Sequence, residues 1–171
     1  MPELVRPTPS VAQSYIRGEK EVCSDEGMSD AHLDEAAADF DAFARKRRAT
    51  RELWGVPVSE LWFVDGADYL GTVVARLKLT AELLESGGHL GFHVVPHARR
   101  RGHGRRMLAE AIRFCLYQGM TEFLLTCDED NLASRRVIEA NGGMLERVVA
   151  GEARYWIRRQ HARPADGGHS R

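Results

Sequence analysis

The chain has 171 residues, with 24 basic side chains against 25 acidic ones. That length fits one domain with a proper core, and Leu, Ile, Val and Phe together make up about 23 % of it, above the roughly 20 % below which chains stay disordered. Near-neutrality excludes a globally cationic nucleic-acid binder. The longest run free of Asp, Glu, Lys and Arg, Ser86 to Ala98, is shorter than the roughly 17 residues a membrane span needs. The opening MPELVRPTPS has no apolar core of a signal peptide. Cys23, Cys115 and Cys127 show no paired spacing. Free thiols predict a reducing, cytoplasmic setting.

In chain order, residues 10–22 and 29–48 read as helices. The second opens at Ser29, a good N-cap, and carries Leu33, Ala36, Ala37, Phe40 and Ala44 as an apolar stripe. From Glu19 to Asp41 there are nine acidic residues and one lysine. This is either a solvated helix face or an acidic rim that attracts a cationic substrate. Residues 60–64 and 68–78 are apolar runs separated by Asp65-Gly66, a hairpin signal. A third strand is expected at 88–95, closed by Pro96. Gly102–Gln118 reads as a helix with Leu108, Ile112 and Cys115 on one face, stopped by Gly119. A buried strand follows at 122–127, then a helix over 131–140 ended by Asn141-Gly142-Gly143. Short strands are expected near 144–149 and 153–158. The polar tail 160–171 reads as frayed. Strand, helix, strand over 88–127 predicts a parallel unit with right-handed crossover. Antiparallel hairpins flank it, so the sheet should be mixed.

Chemistry concentrates in Val94-Val95-Pro96-His97-Ala98-Arg99-Arg100-Arg101-Gly102-His103-Gly104-Arg105-Arg106. A strand ends there and a glycine-punctuated basic turn enters a helix. The first N–H groups of a helix are unpaired and carry partial positive charge. Glycines allow close approach, and arginines add charge-assisted bonds. Together these form a phosphate cradle. The Gly-Lys-Ser/Thr of a P-loop is absent, and Met107 stands where a dinucleotide fingerprint needs its third glycine.

Arg99-x-x-Gly102-x-Gly104 resembles the pyrophosphate loop of the GNAT superfamily of acyl-CoA-dependent N-acetyltransferases. The order of elements around it strengthens the likeness, as do Asp130-Asn131-x-Ala133-Ser134 at the next helix start and Asn141-Gly142-Gly143 at its end. The segment Asn131–Gly143 with Arg154-Tyr155-Trp156-Ile157 is similar to a bacterial branch of predicted acetyltransferases. The resemblance spans roughly residues 60–158. It implies a single α/β domain over 1–159, with a mixed, twisted sheet of six or seven strands flanked by helices. It implies acetyl-CoA as cosubstrate and a primary amine on a small molecule or protein as acceptor. Many relatives are dimers, so a homodimer is one implied assembly. The pyrophosphate would sit on the amides of Arg100, Arg101, Gly102, His103, Gly104 and Arg105, beside Arg99. The pantetheine arm would pair with the end of the third strand at Phe92 to Val95, including Val94 and Val95, and meet Asn131 and Ser134. A backbone N–H near Val94 would polarise the oxyanion. Many relatives carry a proton-donating Tyr seven residues after the motif Asn; here that position is Ile138. Gly143 replaces the usual Phe.

Acyl transfer to an amine needs a base. His89 and His93 share one strand face and titrate near neutrality. Of the two His89 is the preferred base, because it lies further from the cofactor end, where an acceptor amine should enter. Each also reads as a structural histidine. Tyr155 is a substitute donor for the leaving thiolate. The His89, His93, His97 spacing does not make a metal site, because strand residues four apart lie roughly 13 Å apart. Cys127 reads as a small core residue. Two other functions stay open: an acyl-CoA sensor without catalysis, and a nucleic-acid phosphate binder through Arg99–Arg106. Against the second, no aromatic residue interleaves with the arginines.

Overall fold

The computed structural model describes residues 1–159, so the tail expected at 160–171 lies outside the described residues. The elements are β1 (Glu3–Val5), α1 (Ala12–Glu26), α2 (Asp34–Ala38), α3 (Phe40–Arg48), β2 (Arg51–Leu53), β3 (Val56–Asp65), β4 (Asp68–Arg76), α4 (Ala81–Glu85), β5 (Leu90–Val94), α5 (His103–Tyr117), β6 (Glu122–Asp128), α6 (Leu132–Ala140), β7 (Met144–Val149) and β8 (Glu152–Arg158). Among the described residues no helix is long and apolar enough to cross a membrane.

The strands form two sheets rather than the one expected. One is ordered β1-β3-β4-β5, with β2 also on β3; the other is β6-β8-β7. All of these ladders are antiparallel. The parallel ladder expected across 88–127 is absent. β5 and β6 meet at one bridge, Gly88 with Leu125, antiparallel in its local pattern. There the His89 N–H donates to the Leu124 carbonyl at 2.7 Å. Beyond it, Leu90–Phe92 and Thr126–Asp128 face each other across a cavity of about 290 Å³. The strands therefore advance in the same direction but diverge.

That divergence leaves β5 with a free edge. Val95 N–H donates to Leu70 O (3.0 Å) and Arg76 N–H to His89 O (2.7 Å). In an antiparallel ladder the bonded side alternates by residue. Hence Leu90, Phe92 and Val94 turn their N–H and C=O groups away from β4. Close pairing there depends on Gly71, where a Cβ would lie 2.2 Å from the His93 carbonyl oxygen.

The helix expected over 29–48 is two helices. Asp39 is extended (φ −152°, ψ 91°) and its carboxylate caps α3 at the Ala42 N–H. Asp competes with the backbone for hydrogen bonds, which favours a cap over a helix interior. Ser29 is not a helix cap: its hydroxyl accepts from the Ala31 N–H at the start of a short 3-10 turn whose N-cap position is Asp30. Gly119 ends α5 as expected, at φ 85°. On one face of the first sheet, α1 and α3 cover an aromatic cluster. Tyr15 of α1 lies 4.5 Å from the Trp62 ring and 4.7 Å from Tyr69. Burying each such ring stabilises by about 1.5–3 kcal/mol, comparable to burying Phe. α5 packs on the opposite face, with His103 edge-on to Phe63 at 5.9 Å.

Candidate active site

Between the free edge of β5 and the start of α6 lies a cleft of about 630 Å³. Phe92, His93 and Val94 line it from β5, Arg99–Arg100 and Gly102–Arg105 from the loop, and Asn131 and Ser134 from α6. Of the residues expected to bind the cofactor, Val95 and Arg101 are not among those lining it. Val95 is fully buried, and its N–H is taken by Leu70.

The loop is shaped as the sequence requires. Gly102 sits at φ 79° and caps α5, a left-handed position that favours glycine. Arg100 also has positive φ, 63°. Such strain in a non-glycine residue costs of order 1–3 kcal/mol and clusters at ligand-binding turns. Gly104 serves packing instead, because a Cβ would lie 3.2 Å from Val137 of α6. Among the described residues, the N–H groups of Arg100 to Arg105 have no acceptor, and the first capping bond is Arg106 N–H to Gly102 O. Six unpaired donors thus gather at the helix start, five of them on residues that line the cleft. The Arg100, Arg101 and Arg105 guanidiniums have no carboxylate partner among the described residues. Arg99 is already engaged, donating to Val94 O at 3.0 Å and to Asp25 at 2.6 Å. Asn131 caps α6 by accepting from the Ser134 N–H at 3.0 Å, which leaves its amide NH₂ free to donate.

The acidic run of α1 is not a uniform rim. Three of its carboxylates reach β5 and the loop: Glu19 meets His93 at 2.7 Å, Glu21 meets His97 at 2.6 Å, and Asp25 meets Arg99 at 2.6 Å. Glu19 is buried and also accepts from the Tyr69 hydroxyl at 2.5 Å, which lies 2.6 Å from the Thr72 hydroxyl. Burial pushes the Glu19 carboxyl up, but the bonds from His93 and Tyr69 outweigh it and hold the group below its ordinary value. Glu19 is therefore ionised at neutral pH. A carboxylate only accepts, so His93 presents Nε2–H to it, and Nδ1 is left as the acceptor nitrogen. Sequence reasoning missed Glu19. The available signal was a carboxylate in the stripe Tyr15, Gly18, Val22, at the i, i+3, i+4 spacing of a buried face.

His89, the base preferred from the sequence, and Tyr155, the expected proton donor, lie away from the cleft. His89 Nδ1 accepts from the Leu124 N–H at 2.9 Å, which ties β5 to β6. Burial lowers its pKa, with Arg76 nearby adding to the effect. Tyr155 is 0 % exposed; its hydroxyl accepts from Arg135 and donates to Glu139, each at 2.8 Å. Burial raises its pKa. Neither residue lines the cleft. Ile138 is also fully buried, and a Cβ at Gly143 would lie 2.4 Å from its side chain. The absence of a side chain at Gly143 makes room for the branched Ile138.

A helix-start anion cradle joined to an open strand edge is an arrangement that suits a phosphate-bearing ligand with an extended, amide-containing arm. The sequence carries that arrangement to a family. Residues 26–143 match the model of the Acetyltransferase (GNAT) family, and the chain belongs to that family. Solved structures share the fold. Mycobacterium smegmatis RimJ in complex with CoA-disulfide aligns with a TM-score of 0.67 at 15 % identity, over 92 % of this chain and 81 % of that one. The microcin C7 self-immunity acetyltransferase MccE, in complex with acetyl-CoA and AMP, gives 0.65 at 13 %, over 92 % of both chains. The PaiA N-acetyltransferase of Thermoplasma acidophilum with coenzyme A gives 0.60 at 12 %, over 93 % and 99 %. A search of curated proteins finds no match.

Proposed function

We propose that the protein transfers an acetyl group from acetyl-CoA to a primary amine of a small molecule or a protein. The observation that carries this reading is the continuity of the Arg100–Arg105 amides with the free edge of β5 in one cleft. The loop amides and the unpaired guanidiniums fit a pyrophosphate. The outward N–H and C=O groups of Phe92 fit an amide of the arm, received like an added strand, while Val94 O is held by Arg99 and the Val94 N–H is left for the thioester. Asn131 offers its free NH₂ to the same arm. Acetyl-CoA supplies an activated thioester. Around it, the Val94 N–H holds the developing oxyanion. Of the two candidate histidines we take His93: its Nδ1 accepts the ammonium proton of the acceptor, while Glu19 fixes the tautomer and stabilises the imidazolium that forms. His93 is 32 % exposed at the cleft and Glu19 11 %, so the pair is open on one side only. The free cysteines Cys23, Cys115 and Cys127 fit a reducing, cytoplasmic location.

The test is CoA release by purified protein with saturating acetyl-CoA and a panel of amines. Wild type is expected to release CoA, and His93→Ala to slow release by about 10²–10⁴-fold, the range of general base catalysis. No release above background with any amine would overturn the reading.

A further inference from the structure

The face of β4 and β5 under α1 continues beyond His93. Cross-strand partners share a face, so Thr72 with His93 and Val74 with Gly91 form successive rows on it, and Arg76, whose N–H donates to His89 O, follows them along β4. Thr72 and His93 lie under Glu19. Val74 and Gly91 are only partly covered and form a floor. Arg76 closes the far end.

Arg76 is half-buried and has no carboxylate within ion-pair distance among the described residues. Burial alone is what lowers its pKa; no neighbouring carboxylate opposes it. Its Nη1 donates to the carbonyls of Gly87 and Gly88, both at 3.2 Å. Nε is shielded from solvent and has no acceptor. Nη2 donates to nothing described and would lie 3.9 Å from a Cβ at Gly91. Nε and Nη2 are the two parallel donors of a guanidinium that receive a carboxylate side by side. The edge built for a carboxylate is therefore the edge without a partner. The guanidinium lies over the ring of Trp54, a residue 60 % exposed on the β2–β3 turn, with Cζ 5.0 Å from the ring centroid. A second cation stands in the same row. Arg51 pairs with Val58 in the ladder, and Val58 with Arg76. Arg51 also has an orphan buried Nε, and its one carboxylate, Glu60, is shared with Arg47. A half-buried charge without a counter-ion is costly, and a ligand anion would offset that cost.

We infer that this face is the acceptor site and that Arg76 binds a carboxylate of the acceptor, whose amine then lies at His93. The inference rests on the acetyltransferase reading above and narrows its substrate class. Arg76 leans over Gly91, two residues from His93, so amine and carboxylate are separated by about 7 Å at the strand rise of roughly 3.3 Å per residue. An α-amino acid is too short to span this. Glu60, in the row of Val74 and Gly91, is already held by Arg47, Arg51 and the Trp62 Nε1–H, so the charge left open on this face is that of Arg76, which a cationic acceptor would not pair.

The test compares three linear probes of similar length: δ-aminovalerate, δ-aminovaleramide and cadaverine. CoA release gives kcat and KM, and calorimetry with and without CoA gives binding to the site apart from turnover. Wild type is expected to prefer δ-aminovalerate by at least tenfold in kcat/KM. Arg76→Gln is expected to raise its KM tenfold or more, with no change for the amide or for acetyl-CoA. Because Arg76 also holds the Gly87–Gly88 turn, Gly91→Asp gives a second route. A Cβ at Gly91 makes only ordinary contacts (3.7 Å to Nη1), so the new carboxylate can reach the guanidinium. It is expected to abolish δ-aminovalerate binding in calorimetry and leave the acetyl-CoA melting shift intact. Equal affinity for all three probes, or loss of all three together in the folded Arg76→Gln variant, would overturn the inference. If acetyl-CoA itself failed to bind, the acetyltransferase reading would fall, while calorimetry without CoA would still report on Arg76.

Discussion

The two faces of β5 were built by different kinds of sequence information. The cleft face is local. Val94, Arg99–Arg105 and the α5 start lie within a dozen residues, and a short pattern of glycines and arginines describes them. The face under α1 is assembled from Glu19, Tyr69, Thr72, Arg76 and His93, drawn from three elements far apart in the chain. No motif spans it. On the proposed reading the cosubstrate meets backbone groups that have a local signature, whereas the acceptor meets side chains brought together only by the fold.

The strongest way to break the comparison is at a residue both faces share. Gly71→Ala would drive a Cβ into the His93 carbonyl, which is backbone and cannot step aside. We expect a loss of about 3 kcal/mol or more, in the upper range of single substitutions, read as a lower urea midpoint. Acetyl-CoA binding and turnover should fall together, since both faces lose β5.

Glu19→Gln should separate the faces. Turnover is expected to fall about 10–100-fold, the lower part of the range for acid–base groups, with the acetyl-CoA KM unchanged. The folded pKa of Glu19 is depressed, so its contribution to stability is complete above the ordinary carboxylate range and is lost as pH falls through the depressed value. The variant should therefore lose less stability than wild type on acidification. Urea melts at neutral and acid pH check this. An unchanged rate would remove Glu19 from the chemistry.

A smaller effect is expected at His89. His89→Phe leaves the Leu124 N–H without its acceptor, a cost of about 1–3 kcal/mol. The folded pKa of His89 is lowered from 6.5, so wild type loses this contribution as pH falls below that value. The variant should be flatter in that window. Turnover should hold, because His89 braces the β5–β6 junction. A rate loss matching that of His93→Ala would make His89 the base.

The same contrast explains what could be read in advance. β3, β4, β5, α5, β6, α6, β7 and β8 were visible as apolar runs with turn signals at their ends. β1 and β2 were not, since three residues carry no period. α4 was hidden in a segment too short for a helical stripe. The stripe Leu33–Ala44 read through Asp39 because periodicity does not register a backbone break. The division into two sheets follows from how far β5 and β6 diverge, a tertiary property with no local mark. His89 and His93 shared one face of the expected strand, with His89 preferred as the base for its distance from the cofactor end, and His97 followed beyond Pro96. Their roles parted only when Leu124, Glu19 and Glu21 came to meet them.

The most direct test of the central claim is thermal unfolding with and without acetyl-CoA, in wild type and in a variant with Gly102→Val and Gly104→Val. A ligand that binds only the native state stabilises it by about 2.7 kcal/mol at a hundredfold excess over its Kd. The account predicts a clear rise in the wild-type melting temperature and no rise in the variant, measured from the variant's own baseline. An equal rise in both, or none in wild type at millimolar acetyl-CoA, would contradict the placement of the cosubstrate on the Arg99–Arg105 loop.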